Sequence, residues 1–175
     1  AEDFYRGGIA KDLAADLKRI GSPVAAADLA AHTAARRTPL SVKVRCGQLF
    51  NFPPPTQGLA SLMILALFDR LGVTRAESFD HIHGLIEATK QAFIVRDRVV
   101  GDPAQMQERP ERYLNKVLLD DLAARIHRER ALEWPQPAPQ FGDTVWLGAI
   151  DGQGLAASFI QSIYFEFGSG CVLPT

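Results

Sequence analysis

Thr144-Val145-Trp146-Leu147-Gly148-Ala149-Ile150, then Asp151-Gly152-Gln153-Gly154, then Leu155-Ala156-Ala157-Ser158-Phe159-Ile160-Gln161-Ser162: this stretch decides how the chain is read. Val145 to Ile150 and Ala156 to Phe165 are rich in β-formers and poor in charge, which fits two extended runs. Between them, Gly152-Gln153-Gly154 fits a three-residue hairpin loop with glycine at its last, left-handed position. Asp151 then pairs with Leu155. Paired residue numbers keep a constant sum along an antiparallel ladder, so that pair carries Thr144 onto Ser162. Opposed residues share a face with Cβ atoms about 4.5–5.5 Å apart, close enough for two hydroxyls to exchange a hydrogen bond. A slip of one residue would oppose Gln161 instead. Hydroxyl pairs are common in sheets, and on geometry alone a plain structural pair is the simpler reading.

Upstream of the hairpin the period is helical. Glu133 to Gln140 is polar and punctuated by proline, which reads as a linker. Before it, Leu114, Val117, Leu118, Leu122 and Ile126 mark an amphipathic helix. Ser78 fits the cap of a longer helix whose Phe79, Ile82, Ile86 and Phe93 stripe points one way, with Glu87, Lys90 and Arg96 mostly elsewhere. Gly101-Asp102-Pro103 ends it. Leu59 to Leu71 is apolar nearly all round and therefore belongs in an interior. Pro53-Pro54-Pro55 stops the preceding sheet, and Thr56 is the expected cap of that interior helix. Leu40, Val42 and Val44 alternate with Ser41, Lys43 and Arg45 as a strand, and Gly47 to Phe52 reads as its return. Ile9, Leu13, Leu17 and Ile20 form one helical stripe stopped by Gly21-Ser22-Pro23, and Ala25 to His32 reads as a second short helix.

The 175 residues carry 19 basic and 20 acidic side chains, a formal net charge of −1 that offers no field for nucleic acid or anionic lipid. The longest apolar run, Leu62 to Phe68, is far short of the roughly 20 residues a bilayer span needs. Neither partner is expected. Ala1 to Arg6 contains no initiating Met and no leader, so the gene product is expected to begin upstream. Cys46 and Cys171 have no CxxC spacing and read as two partly buried free thiols. His81 and His83 lie two apart on a helix and do not face one another, so no metal site is expected. Glu87 and Lys90, three apart, fit a surface ion pair.

Four segments in order resemble the gamma-glutamyltransferase family, which includes glutaryl- and cephalosporin-type acylases. They are Phe4-Tyr5-Arg6-Gly7-Gly8-Ile9-Ala10; Pro53-Pro54-Pro55-Thr56-Gln57-Gly58; His83-Gly84-Leu85-Ile86-Glu87-Ala88-Thr89-Lys90-Gln91-Ala92-Phe93 running on to Gly101-Asp102-Pro103; and Gly142-Asp143-Thr144, with Phe167-Gly168-Ser169-Gly170 beyond. The resemblance implies an N-terminal-nucleophile hydrolase whose precursor cuts itself before a threonine, here between Asp143 and Thr144. It implies an α+β fragment: residues 1–132 as the helix-rich end of the large subunit, 133–143 as a linker ending at the cut, and 144–175 as the start of the small subunit. That last part would supply the first hairpin of an αββα sandwich. Thr144 is then nucleophile and, through its freed α-amine, base. Ser162 stands where the family usually places a second threonine whose hydroxyl assists. No cofactor is implied.

The resemblance also implies a small-molecule substrate, a gamma-glutamyl amide such as glutathione or a related acyl amide. Val145 and Trp146 stand where glutathione-metabolising members often have Thr and His, and Tyr164 stands where an Asn usually helps hold the substrate's α-amino group. Trp146 and Tyr164 are therefore candidates for the acyl pocket of a glutaryl- or cephalosporin-type acylase, the alternative reading. The family's substrate arginine would lie upstream of Ala1, and its acidic substrate residue, paired serines and glycine oxyanion hole downstream of Thr175. The missing remainder of both subunits is accordingly the expected partner, and this chain alone is expected to be inactive. From another class, a non-catalytic helical interaction module is suggested by the all-apolar helix and the unpartnered hairpin. The family resemblance points to a periplasmic or secreted setting and leaves a cytoplasmic one open.

Overall fold

The computed structural model describes residues 1–134, 144–162, 172 and 174. It is helix-rich with two small antiparallel hairpins, in line with the α+β expectation. The chain divides into two compact units, Ala35–Pro135 and a second made of Ala1–Ala34 with Gln136–Thr175.

In the second unit, α1 (Glu2–Arg6), α2 (Gly8–Arg19) and α3 (Ala26–Ala31) come first. The Arg-Gly-Gly joint has a steric reason. A Cβ on Gly7 would fall 2.0 Å from the Asp3 carboxylate, which caps α2 by accepting the Gly8 N–H at 2.6 Å. Arg6 donates from Nε to the Ala30 carbonyl at 3.1 Å, and Tyr5 stacks on His32, so α1 holds the end of α3.

The Ala35–Pro135 unit is built around α4 (Gly58–Arg70). The hairpin of β1 (Leu40–Val44) and β2 (Gly47–Asn51) precedes it; α5 (Phe79–Val99), a 3-10 turn at Pro110–Leu114 and α6 (Lys116–Ala124) come after it. β1 buries Leu40, Val42 and Val44 and exposes Ser41 and Lys43, as its alternation predicts. α4 contributes Leu59, Leu62, Met63, Ala66 and Leu67 to the same core, joined by Ala88, Ala92, Leu119 and Leu122. A helix apolar on every side is stable here because strands and helices cover most of it. Arg70 reaches from α4 to Asp120 on α6 at 2.8 Å, and hydrogen bonds from Lys116 and then Arg70 hold the Asp120 carboxyl below its ordinary range.

Three local expectations are corrected. Gln57, not Thr56, occupies the N-cap position of α4. Thr56 Oγ1 instead donates to the Phe52 and Pro53 carbonyls and accepts the Gly58 N–H at 3.2 Å, tying the helix start to the end of β2. The Phe79, Ile82 and Ile86 stripe of α5 is exposed, whereas the opposite face, Gly84, Glu87, Ala88, Gln91 and Ala92, is buried. Small residues four apart let α5 approach α4 closely. A Cβ on Gly84 would sit 2.9 Å from Leu71 Cδ1. Cys46, expected to be partly buried, is an exposed free thiol; Cys171 lies outside the described residues.

Gly58 gives a direct test of the packing at the start of α4. An added Cβ would fall 2.0 Å from the Phe52 carbonyl oxygen and 2.9 Å from the Phe52 nitrogen, backbone atoms with no rotamer to yield. Gly58→Ala should therefore destabilise the protein by about 1–3 kcal/mol, the range for overpacking, read as a lowered thermal midpoint. An unchanged midpoint would mean that the β2 end moves aside freely.

Candidate active site

β3 (Thr144–Ile150) and β4 (Ala156–Ser162) form the second hairpin. Its turn is set by one side chain: Asp151 Oδ1 accepts the Gln153 and Leu155 N–H groups, both at 2.9 Å. Asp151 N–H donates to the Leu155 carbonyl at 3.0 Å, and Gly154 N–H to the Asp151 carbonyl at 3.1 Å. Gly154 has φ +86°, the left-handed conformation for which glycine is the natural residue. An aspartate that holds its own turn and a glycine that completes it leave little freedom for slippage.

The register runs without a bulge from Ile150 opposite Ala156 to Thr144 opposite Ser162. The ladder thus brings Thr144 and Ser162 together at its open end, with Gln161 opposite Val145. Counting alternately from the hydrogen-bonded pair at Asp151 and Leu155 makes 144 and 162 a non-hydrogen-bonded position of the ladder. Trp146 lies on the same face, opposite Ile160. Its indole N–H donates to Ser158 Oγ at 3.0 Å and its ring lies over Gly148, where a Cβ would be 2.8 Å from the ring. The ring therefore leans toward the turn, away from the Thr144 end. Asp143 and Tyr164 lie outside the described residues.

Away from the hairpin, the histidines serve as hydrogen-bond partners. His81 Nδ1 accepts the Glu77 N–H at 2.9 Å, and His83 Nε2 meets the His127 carbonyl at 2.8 Å. The Glu87–Lys90 pair, read as a surface pair, is largely withdrawn from solvent: the Glu87 side chain is buried at 2% exposure and that of Lys90 is half-buried at 16%. Helical spacing alone misses this, because what covers the pair is a segment more than 40 residues downstream, at Leu132.

The sequence profile of the gamma-glutamyltranspeptidase family matches residues 1–175. This chain belongs to that family. The chain is 44% identical over 173 residues to an oxamate amidohydrolase proenzyme of Klebsiella pneumoniae, covering 99% of this chain and 33% of the relative. To a glutathione hydrolase-like proenzyme of Bacillus subtilis it is 37% identical, covering 95% and 32%. A cephalosporin acylase from Bacillus halodurans superposes with a TM-score of 0.81 at 33% identity, covering 99% of this chain and 31% of that one. The chain thus spans about a third of the length of these relatives. Its fold corresponds to part of an N-terminal-nucleophile hydrolase, and the relatives' names are those of hydrolases and acylases, several of them proenzymes.

Proposed function

We propose that the full-length protein is an amide hydrolase or acyltransferase that cuts itself between Asp143 and Thr144 and then works through Thr144. The observation that carries this reading is the pairing of Thr144, first residue of β3, with Ser162 across the ladder. In the first step the Thr144 hydroxyl attacks the Asp143 carbonyl carbon, and the C–N bond breaks in favour of an ester. Water then hydrolyses the ester, leaving a carboxylate on Asp143 and a free α-amine and hydroxyl on Thr144. Residues up to 143 would belong to one subunit and Thr144 onward to the other.

The freed amine has an ordinary pKa of about 7.7–8.0, low enough to accept the hydroxyl proton near neutral pH. One residue then supplies nucleophile and base. The Thr144 oxygen attacks the substrate amide, the amine leaves with a proton, and the acyl-Thr144 ester passes its acyl group to water or an acceptor amine. Ser162 assists by hydrogen bonding to the Thr144 oxygen.

Gamma-glutamyl amides such as glutathione, glutaryl amides and oxamate share a feature: the acyl part carries a carboxylate. We assign this protein to small amides of that class. The acylase version is favoured by Val145 and Trp146 after the nucleophile and by the likeness to the cephalosporin acylase. Mass spectrometry of the full-length protein is expected to find two fragments, the second beginning at Thr144. An uncut, fully active protein would end this reading. Turnover of glutathione, a glutaryl amide and oxamate side by side ranks the donors. A full-length protein that is never cut and turns over none of them would favour the interaction-module alternative.

Ser162 has its own test. Ser162→Ala should lower kcat by about a hundredfold, the scale for one lost hydrogen bond to the reacting oxygen, while Ser162→Thr keeps most of it. Equal kcat for both variants would remove Ser162 from the reaction.

A further inference from the structure

Gly148 sits inside β3, paired with Ser158 in an unbroken ladder, and its backbone does not call for glycine. The described glycines with positive φ are Gly21, Gly47, Gly72 and Gly154, and Gly148 is not one of them. A glycine within a strand weakens it and marks a place where something else comes close. Here that is the Trp146 ring. A Cβ on Gly148 would fall 2.8 Å from Trp146 Cη2 and 2.9 Å from Cζ2, so the indole rests in the space a side chain would otherwise fill. From across the ladder, Ser158 Oγ accepts the indole N–H at 3.0 Å. Two residues, one on each strand, thus seat the ring toward the turn.

The seat matters because of what lies on the other side of Trp146. Ladder positions 144, 146 and 148 follow one another along one face of β3, with 162, 160 and 158 opposite them. Successive positions on a face are about 6.6 Å apart, so an indole turned toward the open end of the ladder would cover the ground between 146 and 144. Turned as it is, it leaves that ground clear, with the exposed Ile160 as an apolar floor. A tryptophan has only a few staggered positions about its first side-chain bond, and a Cβ at 148 would close the present one. One hydrogen bond to an exposed indole holds weakly against water, so the missing side chain at 148 does most of the seating.

We propose that Gly148 and Ser158 are positioning residues for the choice of acyl donor: by seating the Trp146 indole toward the turn, they keep clear an apolar strip next to Thr144 in which a longer acyl chain lies. This rests on the reading of Thr144 as the nucleophile. The short oxalyl group of oxamate does not extend along the strip, whereas a glutaryl chain does. Losing room for part of an acyl chain in an apolar site costs about tenfold or more in kcat/KM.

The test measures kcat and KM for a glutaryl amide and for oxamate in the full-length protein, as wild type, Gly148→Ala, Ser158→Ala, Ser158→Thr, Trp146→Ala, and Gly148→Ala combined with Trp146→Ala. Gly148→Ala should lower kcat/KM for the glutaryl amide about tenfold or more, chiefly through KM, and that for oxamate much less. Ser158→Ala should act in the same direction by a smaller factor, because the gap at 148 remains, and Ser158→Thr, which keeps the hydroxyl, should recover most of the loss. Ser158→Ala also decides the matter if Gly148→Ala folds poorly. The Trp146→Ala background isolates the cause: with no ring to displace, adding Gly148→Ala should not lower glutaryl turnover further. A glycine that serves only the strand would cause the same loss with or without the indole, and that result overturns the proposal. So does an unchanged glutaryl kcat/KM in Gly148→Ala and Ser158→Ala, or a wild type that turns over oxamate but no glutaryl amide. If the glutaryl amide alone is turned over, the Trp146→Ala comparison decides on it. A wild type inactive on both ends the donor class assigned above and the role of the seat with it, whereas the other adverse results overturn the seat alone.

Discussion

Thr144→Ala in the full-length protein should give a single uncut chain whose amide hydrolysis is down by roughly a thousandfold or more, the scale on which loss of a nucleophile is felt. Two losses coincide. Without the hydroxyl nothing attacks the Asp143 carbonyl, so the precursor persists; without the cut, no α-amine is freed at position 144 to act as base. Thr144→Ser keeps an oxygen at the same ladder position and should still cut, though at a changed rate. Both variants lack the threonine methyl group and differ from one another only by the hydroxyl oxygen, so the contrast between them isolates the nucleophile. Gel electrophoresis and mass spectrometry read the cut, and a steady-state assay reads the turnover. An alanine variant that matures normally, or works uncut, would remove Thr144 from the mechanism.

The part of this site that the sequence reveals is the part that local rules govern. Asp151 and Gly154 set a turn within five residues, and from that turn the period of two carries the register outward to Thr144 and Ser162 without help from the rest of the protein. β1 is legible for the same reason. α5 is not: its large apolar residues suggest a buried face, but the face that packs is made of Gly84, Ala88 and Ala92, whose value lies in being small. Hydrophobic periodicity weighs size as benefit, whereas close helix approach requires its absence. The contact of Glu87 and Lys90 with Leu132 is hidden more deeply, because Leu132 is 45 residues from Glu87 and takes part through its backbone. No side-chain pattern announces a backbone group. Substrate preference is beyond the local rules too, since the arginine and the acidic residue that would hold a donor are expected outside this stretch and only Trp146 and Tyr164 within it are pocket candidates.

The largest loss of stability is expected from Leu67→Ala. Leu67 is fully buried on α4 and belongs to the core shared by the β1–β2 hairpin, α5 and α6. Truncation removes three carbons of apolar contact, at about 0.8 kcal/mol per buried methylene, and leaves a hole that a closely packed interior closes only in part. Together these should cost about 2–5 kcal/mol, enough to exhaust a large share of an ordinary domain's margin. Leu65, two positions earlier on the same helix and 46% exposed, supplies the control. Its truncation removes the same atoms where water already reaches them and leaves no closed cavity, so Leu65→Ala should cost well under half as much. Urea unfolding of both variants, compared through midpoints at equal slope, makes the contrast. Equal losses would mean that α4 is not surrounded as described, and that the exposed side of the helix carries as much packing as the buried one.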